Sequence, residues 1–106
     1  MNLSNFKIVN IDLVEGNTLA FTVESETAIT NLEMVAKDLF EKTVGNGVIL
    51  LTDTVALIKI EPADTQGKSA GVYDYEITIQ NDTTVTTLVK GSLTLYSNLG
   101  GVLWHR

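Results

Sequence analysis

Apolar and polar residues alternate along most of this 106-residue chain. In segment 18–23, Leu19, Phe21 and Val23 share one face of an extended chain, because successive side chains of a strand point to opposite sides. The other alternating sets are Ala56, Ile58 and Ile60; Tyr73, Tyr75, Ile77 and Ile79; and Val85, Thr87, Val89, Gly91, Leu93 and Leu95. The pattern predicts half-buried antiparallel strands whose apolar faces pack together.

Turn-forming residues separate these segments at the spacing typical of a sandwich or a barrel. The turn signals are Glu15-Gly16-Asn17, Gly45-Asn46-Gly47, Thr52-Asp53-Thr54, Gln66-Gly67-Lys68 and Asn81-Asp82-Thr83. We predict about seven strands, at 5–14, 18–24, 31–38, 47–52, 55–61, 71–81 and 84–96. Gly91, inside the last strand, predicts a bulge or the close approach of another backbone.

The third segment fits two periods. Leu32, Met34 and Ala36 alternate as in a strand. The same stretch also spaces apolar residues at helical intervals, and Asn31 is a suitable N-cap. We favour the strand, and a helix over residues 31–42 is the alternative.

The composition fits one domain that folds without stabilising cross-links such as disulfides. Apolar residues make up 44% of the chain, and a chain of this length buries roughly 65% of its unfolded surface. The absence of cysteine excludes disulfides, thiolate nucleophiles and cysteine metal sites. We expect a single β-sandwich domain over residues 1–98 and a C-terminal tail over 99–106, where two adjacent glycines loosen the backbone.

The charge distribution argues against nucleic acid as a partner. The net charge is −6, and the seven basic residues are scattered among thirteen acids, whereas phosphate binding needs clustered cations. No apolar run reaches the length of a membrane span, and the N-terminus lacks the features of a signal peptide. We therefore expect no nucleic-acid partner and no membrane partner, and a soluble protein that stays inside the producing cell until something larger exports or releases it.

Gly67-Lys68-Ser69 is similar to the end of a phosphate-binding loop, but its context differs. Such a loop needs a glycine five positions before Gly67 and a helix after it. Pro62 occupies the earlier position, and alternation after Gly71 predicts a strand. The segment is interpreted as a solvated connection.

The titratable residues do not form a recognisable catalytic set. Asp74 and Glu76 project from the same strand face, about 7 Å apart, and a solvated acidic face is favoured over a carboxylate or metal site. His105 is the only imidazole and lies next to the end of the chain, where packing holds a base poorly. The sequence predicts no catalytic residue, no cofactor, no metal site and no enzyme activity.

Tyr73 and Tyr75 could stack on a sugar ring if they faced solvent. Alternation instead predicts an inward aromatic pair, with the hydroxyl of one ring reaching a backbone acceptor.

Val102, Leu103 and Trp104 present apolar bulk after the two glycines. These side chains either fold back over the domain or dock on another chain, since apolar groups left in water are costly. They are the candidate intersubunit contact.

Three motifs follow one another in segment 56–96. They are an Asp-Thr turn at a strand end, a Gly-x-Tyr-x-Tyr strand entry, and a Thr-Leu-x-x-Gly-x-Leu-x-Leu strand. The matching residues are Asp64, Thr65, Gly71, Tyr73, Tyr75, Ile77, Thr87, Leu88, Gly91, Leu93 and Leu95. This succession, together with VEGNTLAFTV at 14–23, resembles small β-sandwich domains of bacteriophage tail and baseplate proteins, and in particular the immunoglobulin-like N-terminal domains of baseplate upper proteins.

The resemblance implies an all-β, immunoglobulin-like antiparallel β-sandwich of about seven strands. It implies a non-enzymatic structural component of a phage virion or prophage, which is assembled in the host cytoplasm and contacts other tail or baseplate proteins. Self-association as a trimer or hexamer is expected by analogy with tail symmetry. No stalk follows residue 106, so we expect a stand-alone component. The alternative function is a small carbohydrate-binding module.

Overall fold

The computed structural model describes residues 6–98. Within this range the chain forms nine strands and one short helix. The strands are β1 (Lys7–Ile8), β2 (Ile11–Val14), β3 (Leu19–Glu24), β4 (Asn31–Ala36), β5 (Phe40–Val44), β6 (Gly47–Leu50), β7 (Val55–Ile60), β8 (Gly71–Asn81) and β9 (Thr84–Tyr96), and the helix α1 (Pro62–Thr65) lies between β7 and β8. The all-β class is confirmed.

All nine strands belong to one curled, hydrogen-bonded sheet. The strand order is β1-β9-β8-β4-β5-β6-β7-β3, and β2 also pairs with β9. A short parallel pairing of β5 with β6, at Thr43 opposite Gly47, joins the two halves of the sheet. The pairings of β1 and β2 with β9 are also parallel, and the others are antiparallel as predicted.

The core lies between the two halves of the curled sheet. Its buried side chains come from both, and they are Leu13, Val23, Ile29, Leu32, Met34, Ala36, Leu39, Val48, Ala56, Ile58, Ile60, Tyr75, Ile77, Ile79, Leu93 and Leu95. The alternation predicted from the sequence is confirmed for β3, β4, β7, β8 and the last third of β9. Burial of these side chains is the main favourable term that holds the layers together.

The third predicted strand, 31–38, contains β4, and a further strand, β5, begins at Phe40 within the range 31–42 of the helical alternative. β4 pairs on one side with β5 and on the other with β8, so the helical alternative is wrong. The chain turns at Asp38, which has a φ of 65°, a conformation that aspartate tolerates better than most residues. The Leu39 N–H donates to the Ala36 carbonyl oxygen at 2.9 Å and closes the turn.

The first predicted strand, 5–14, is interrupted at Val9 and Asn10. There the Val9 N–H donates to the Lys90 carbonyl oxygen at 3.0 Å, and Asn10 Oδ1 accepts the Ser92 N–H at 3.1 Å. A Cβ atom at Gly91 would lie 1.9 Å from the Val9 carbonyl oxygen. The predicted close backbone approach at Gly91 is confirmed.

A β-bulge changes the phase of β9. Ile77 pairs with Val89, whereas Thr78 pairs with Thr87, so Leu88 is the extra residue. Alternation had predicted that Val85 and Thr87 face the core with Val89. That prediction is wrong, because the extra residue reverses the side of every position before it, and Val85 is 69% exposed.

We expect Gly91→Ala to destabilise the domain by about 2–3 kcal/mol, because the added methyl group would collide with the Val9 backbone rather than with a movable side chain. Urea unfolding followed by circular dichroism measures the loss. Gly67→Ala is the control, since nothing lies within 4 Å of its added Cβ and only its φ of +81° opposes the change, at a cost of about 1 kcal/mol. Equal losses for the two variants would contradict the close approach.

Candidate functional site

The outer face of the larger half of the sheet is a broad exposed surface. We define the outer face as the side chains of β2, β9, β8, β4 and β5 that point away from the core. Its acidic members are Asp12, Glu33, Glu41, Asp74 and Glu76. Lys90 is the basic residue among these strand positions, so the face carries a net negative charge.

A shallow depression lies in the middle of the outer face, lined by Val35, Lys37, Asp74, Tyr75, Glu76 and Lys90. The Lys90 ammonium lies 4.0 Å from Glu76 Oε1 and 5.7 Å from the centre of the Phe6 ring. Both ion-pair partners are about half exposed, and such pairs contribute little to stability. Asp74 and Glu76 share the face as predicted, and the depression presents both charge signs to a partner.

Exposed apolar side chains lie at both ends of the outer face. Val72 is 68% exposed beside Thr94, and Tyr96 is half exposed on the neighbouring strand. At the other end, Val85 lies exposed next to the β8–β9 turn. Apolar groups on a surface rimmed by charges are typical of protein contact sites.

Tyr73 and Tyr75 point inward, as alternation predicted. The Tyr75 side chain is 3% exposed, and its hydroxyl donates to the Val9 carbonyl oxygen at 2.6 Å. Tyr73 is half-buried, and its hydroxyl donates to the Ser69 carbonyl oxygen at 2.6 Å. The rings therefore serve the fold and do not form an exposed platform for a sugar. Burial raises the pKa of Tyr75 above its ordinary value of 10.0.

Lys42 is a buried cation that sequence reasoning missed. It points inward from β5 and is 3% exposed, and its Nζ lies 2.5 Å from Asp64 Oδ2. A Cβ atom at Gly47 would lie 2.6 Å from Lys42 Cδ, so glycine leaves room for the chain. Asp64 Oδ2 also accepts the Glu61 N–H at 2.7 Å. The pair joins β5 to α1. The sequence did not indicate that Lys42 is buried, because β5 was not predicted as a strand.

The connection after α1 is anchored by the β2–β3 turn. Thr65 is fully buried and its Oγ1 accepts the Gly16 N–H at 2.9 Å. Glu15 Oε2 accepts the Gly67 N–H at 2.7 Å. The Gly67-Lys68-Ser69 segment is followed by strand β8, as predicted, and the Gly67 amide is used by a carboxylate of the chain itself.

The described residues contain no group of three or more histidine, cysteine, aspartate or glutamate side chains that could hold a metal ion. No helix in this part of the chain is long and apolar enough to cross a membrane. The predicted contact residues Val102, Leu103 and Trp104, like His105, lie outside the described residues.

Strand β3 forms one end of the sheet. It pairs with β7 along its whole length, and no strand within residues 6–98 pairs with its other edge. Edge strands present unpaired N–H and C=O groups on which another strand can add. The sequence could not show this edge, because the order of strands in a sheet depends on pairings between distant segments.

No protein-family model matches the sequence, and no curated protein matches it. Solved structures do resemble the fold. The endo-beta-1,4-mannanase of Thermotoga petrophila superposes with a TM-score of 0.58 at 6% identity, over 83% of this chain and 18% of the mannanase. The titin M3 domain superposes with a TM-score of 0.52 at 14% identity, over 85% of this chain and 92% of that domain.

A family 123 glycoside hydrolase from Clostridium perfringens superposes with a TM-score of 0.51 at 9% identity, over 87% of this chain and 23% of the hydrolase. The chain thus spans nearly all of the titin domain and less than a quarter of either enzyme. At these identities the likeness shows the fold alone. The predicted immunoglobulin-like sandwich is confirmed.

We expect Tyr75→Phe to cost about 1–2 kcal/mol, because it leaves the Val9 carbonyl oxygen without its buried donor. Tyr73→Phe is the matched control and should cost less, since its hydrogen bond is exposed to water. Urea unfolding at neutral pH measures both changes. A larger loss for Tyr73→Phe would contradict the assignment.

The raised pKa of Tyr75 also predicts a pH dependence. Above pH 10.0 the unfolded chain releases the tyrosine proton while the folded chain keeps it, so the free energy of unfolding should fall as the pH rises towards the folded-state pKa. Below pH 10.0 the contribution is complete. Unfolding curves of the wild type and Tyr75→Phe between neutral and alkaline pH measure it, and parallel declines would contradict the prediction.

The Lys42–Asp64 pair predicts an asymmetry between its two members. Asp64→Asn leaves the buried Lys42 ammonium without a counter-charge and should cost about 3 kcal/mol. Lys42→Met keeps a similar volume and leaves a partly exposed Asp64 that still accepts the Glu61 N–H, so we expect a cost below about 1.5 kcal/mol. Thermal unfolding of both variants tests the order of the two effects, and the reverse order would refute it.

Proposed function

We propose that this domain is a non-enzymatic structural component that assembles through protein–protein contacts in a phage tail or baseplate. The outer face carries the proposal, because it combines exposed apolar side chains with charges on a rigid sheet. Such a composition suits a docking surface better than a reaction site, since it is broad and its charged groups point into solvent.

The charge of the outer face favours a partner with a basic surface. Its strands carry five acidic side chains, and complementary charges accelerate association and select the partner. Such contacts weaken as salt increases, because ions screen exposed charges. The exposed ring of Tyr96 and the exposed side chains of Val72 and Val85 at the ends of the face supply the apolar part of the contact.

The phage setting rests on the resemblance of segment 56–96 to tail and baseplate domains. Two residues of that resemblance hold the scaffold together: Tyr75 donates to the Val9 carbonyl oxygen, and Gly91 leaves room for that oxygen. The resemblance therefore supports a shared architecture, and we infer from it a location in the virion after assembly in the host cytoplasm. The proposed partners are other tail or baseplate proteins.

Purified particles from the phage or induced prophage that encodes the chain test the proposal. We expect mass spectrometry to find the chain in intact particles in amounts comparable to other tail proteins. Asp74→Lys should reduce its incorporation by about tenfold, because it reverses a charge at the centre of the outer face.

Glu26→Lys is the matched control, since it makes the same charge change in the exposed connection between β3 and β4. Its incorporation should stay at the wild-type level. Particles that lack the chain, or equal incorporation of the two variants, would refute the assembly role of this face.

A further inference from the structure

The edge of β3 that no strand within residues 6–98 pairs with presents its backbone groups at regular intervals. The Ser25 N–H donates to the Thr54 carbonyl oxygen at 2.8 Å, which extends the β3–β7 register by one pair. In an antiparallel ladder the residues that bond to the neighbour alternate with residues that bond to the other side. The N–H and C=O groups of Ala20, Thr22 and Glu24 therefore point away from β7.

The edge has little of the usual protection against pairing. Monomeric proteins block exposed edges with charged side chains, above all lysine, with proline or with a bulge. Strand β3 contains neither lysine nor proline and its one charged residue is Glu24, its register with β7 has no shift, and its residues all have negative φ. A second strand can therefore pair along its whole length.

We propose that the second strand is β3 of another copy of this chain, paired antiparallel about a two-fold axis. This inference rests on the proposed structural function and adds a self-association surface to it. Thr22 lies opposite Thr22 of the second copy, and Ala20 lies opposite Glu24 of the second copy. A two-fold axis gives both copies the same contact and closes the assembly at two.

Hydrogen bonding selects this register. With Thr22 on the axis, each outward N–H and C=O group of Ala20, Thr22 and Glu24 meets a partner. A shift of two residues in either direction leaves one outward-facing residue of each strand without a hydrogen-bonding partner in β3 of the other copy. A shift of one residue would place core-facing side chains opposite solvent-facing ones.

The apolar side of β3 gains burial in the same register. Leu19 and Phe21 pack against the core but are only partly buried at this end of the sheet. Phe21 comes to lie opposite Val23 of the second copy. Aromatic and β-branched residues that face each other across strands stabilise the pairing of the two strands.

The solvent-facing side of the contact is complementary in charge. Lys59 of β7 is the neighbour of Ala20 in the sheet. Its half-exposed ammonium lies 3.5 Å from Glu61 Oε2, and an exposed pair of this kind is weak enough to be shared with a second carboxylate. Ala20 in turn lies opposite Glu24 of the second copy, so Lys59, Ala20 and that glutamate lie side by side on three adjacent strands. The small Ala20 side chain lets the Lys59 ammonium reach across to that carboxylate, and the two-fold axis repeats the pair.

Sedimentation equilibrium of the 106-residue chain tests the pairing. We expect a species of twice 11.5 kDa that dissociates on dilution. Thr22→Lys places like charges opposite each other on the axis and should weaken the dimer by at least about tenfold. Thr22→Val is the control, because it keeps the β-propensity of the position. We expect the mass of the assembly to remain that of the dimer. Circular dichroism confirms that both variants fold.

A charge exchange tests the register. Glu24→Lys or Lys59→Glu alone should weaken the dimer, and the double variant should restore it. Amide hydrogen exchange should protect Ala20, Thr22 and Glu24 in the wild type more than in Thr22→Lys. A monomer at every concentration, or a self-association that Thr22→Lys leaves intact, would overturn the pairing.

The two proposals fail in different experiments. If the chain enters particles but is monomeric in solution, with or without Thr22→Lys, the β3 contact is refuted. The assembly function then still stands. A chain that forms the β3 dimer but is missing from purified particles refutes the phage role alone.

Discussion

The position of the first two strands depends on one carbonyl oxygen. Val9 O accepts the Tyr75 hydroxyl from within the core, and it lies where any side chain at position 91 would be. This contact holds the chain at the break between β1 and β2, so that both strands can pair with β9. Leu13 is thereby placed over the core. The Tyr75 hydroxyl, the absence of a Cβ atom at Gly91 and the Val9 carbonyl group thus hold the strands together at one end of the sandwich.

Alternation predicted the fold well where strands are regular and both neighbours are in register. Ile58 and Leu93 are buried where the strand pairings on both sides of them run without a register shift. It failed where one residue changes the phase or direction of the chain. The extra Leu88 turns Val85 outward, and Asp38 starts a new strand without any glycine or proline to mark the turn.

The surface was less predictable than the core. The acids of β8 could be placed on one face from their spacing, since only the strand itself was needed. The free edge of β3 and the buried Lys42 could not, because both depend on which segments become neighbours in space. From the sequence alone Lys42 is predicted to be a surface residue. Its burial becomes understandable only because Gly47 and Asp64 lie beside it in the fold.

The parallel direction of β2 and β9 has a mechanical consequence. Ile11 lies opposite Leu93 and Val14 lies opposite Tyr96, so the chain enters at one end of this pair and leaves at the other. A tensile force applied at residues 6 and 98 would pull the two strands past each other along their length. Their backbone hydrogen bonds would then carry the load together instead of opening one after another, so the β2–β9 pair would resist such a force as a unit.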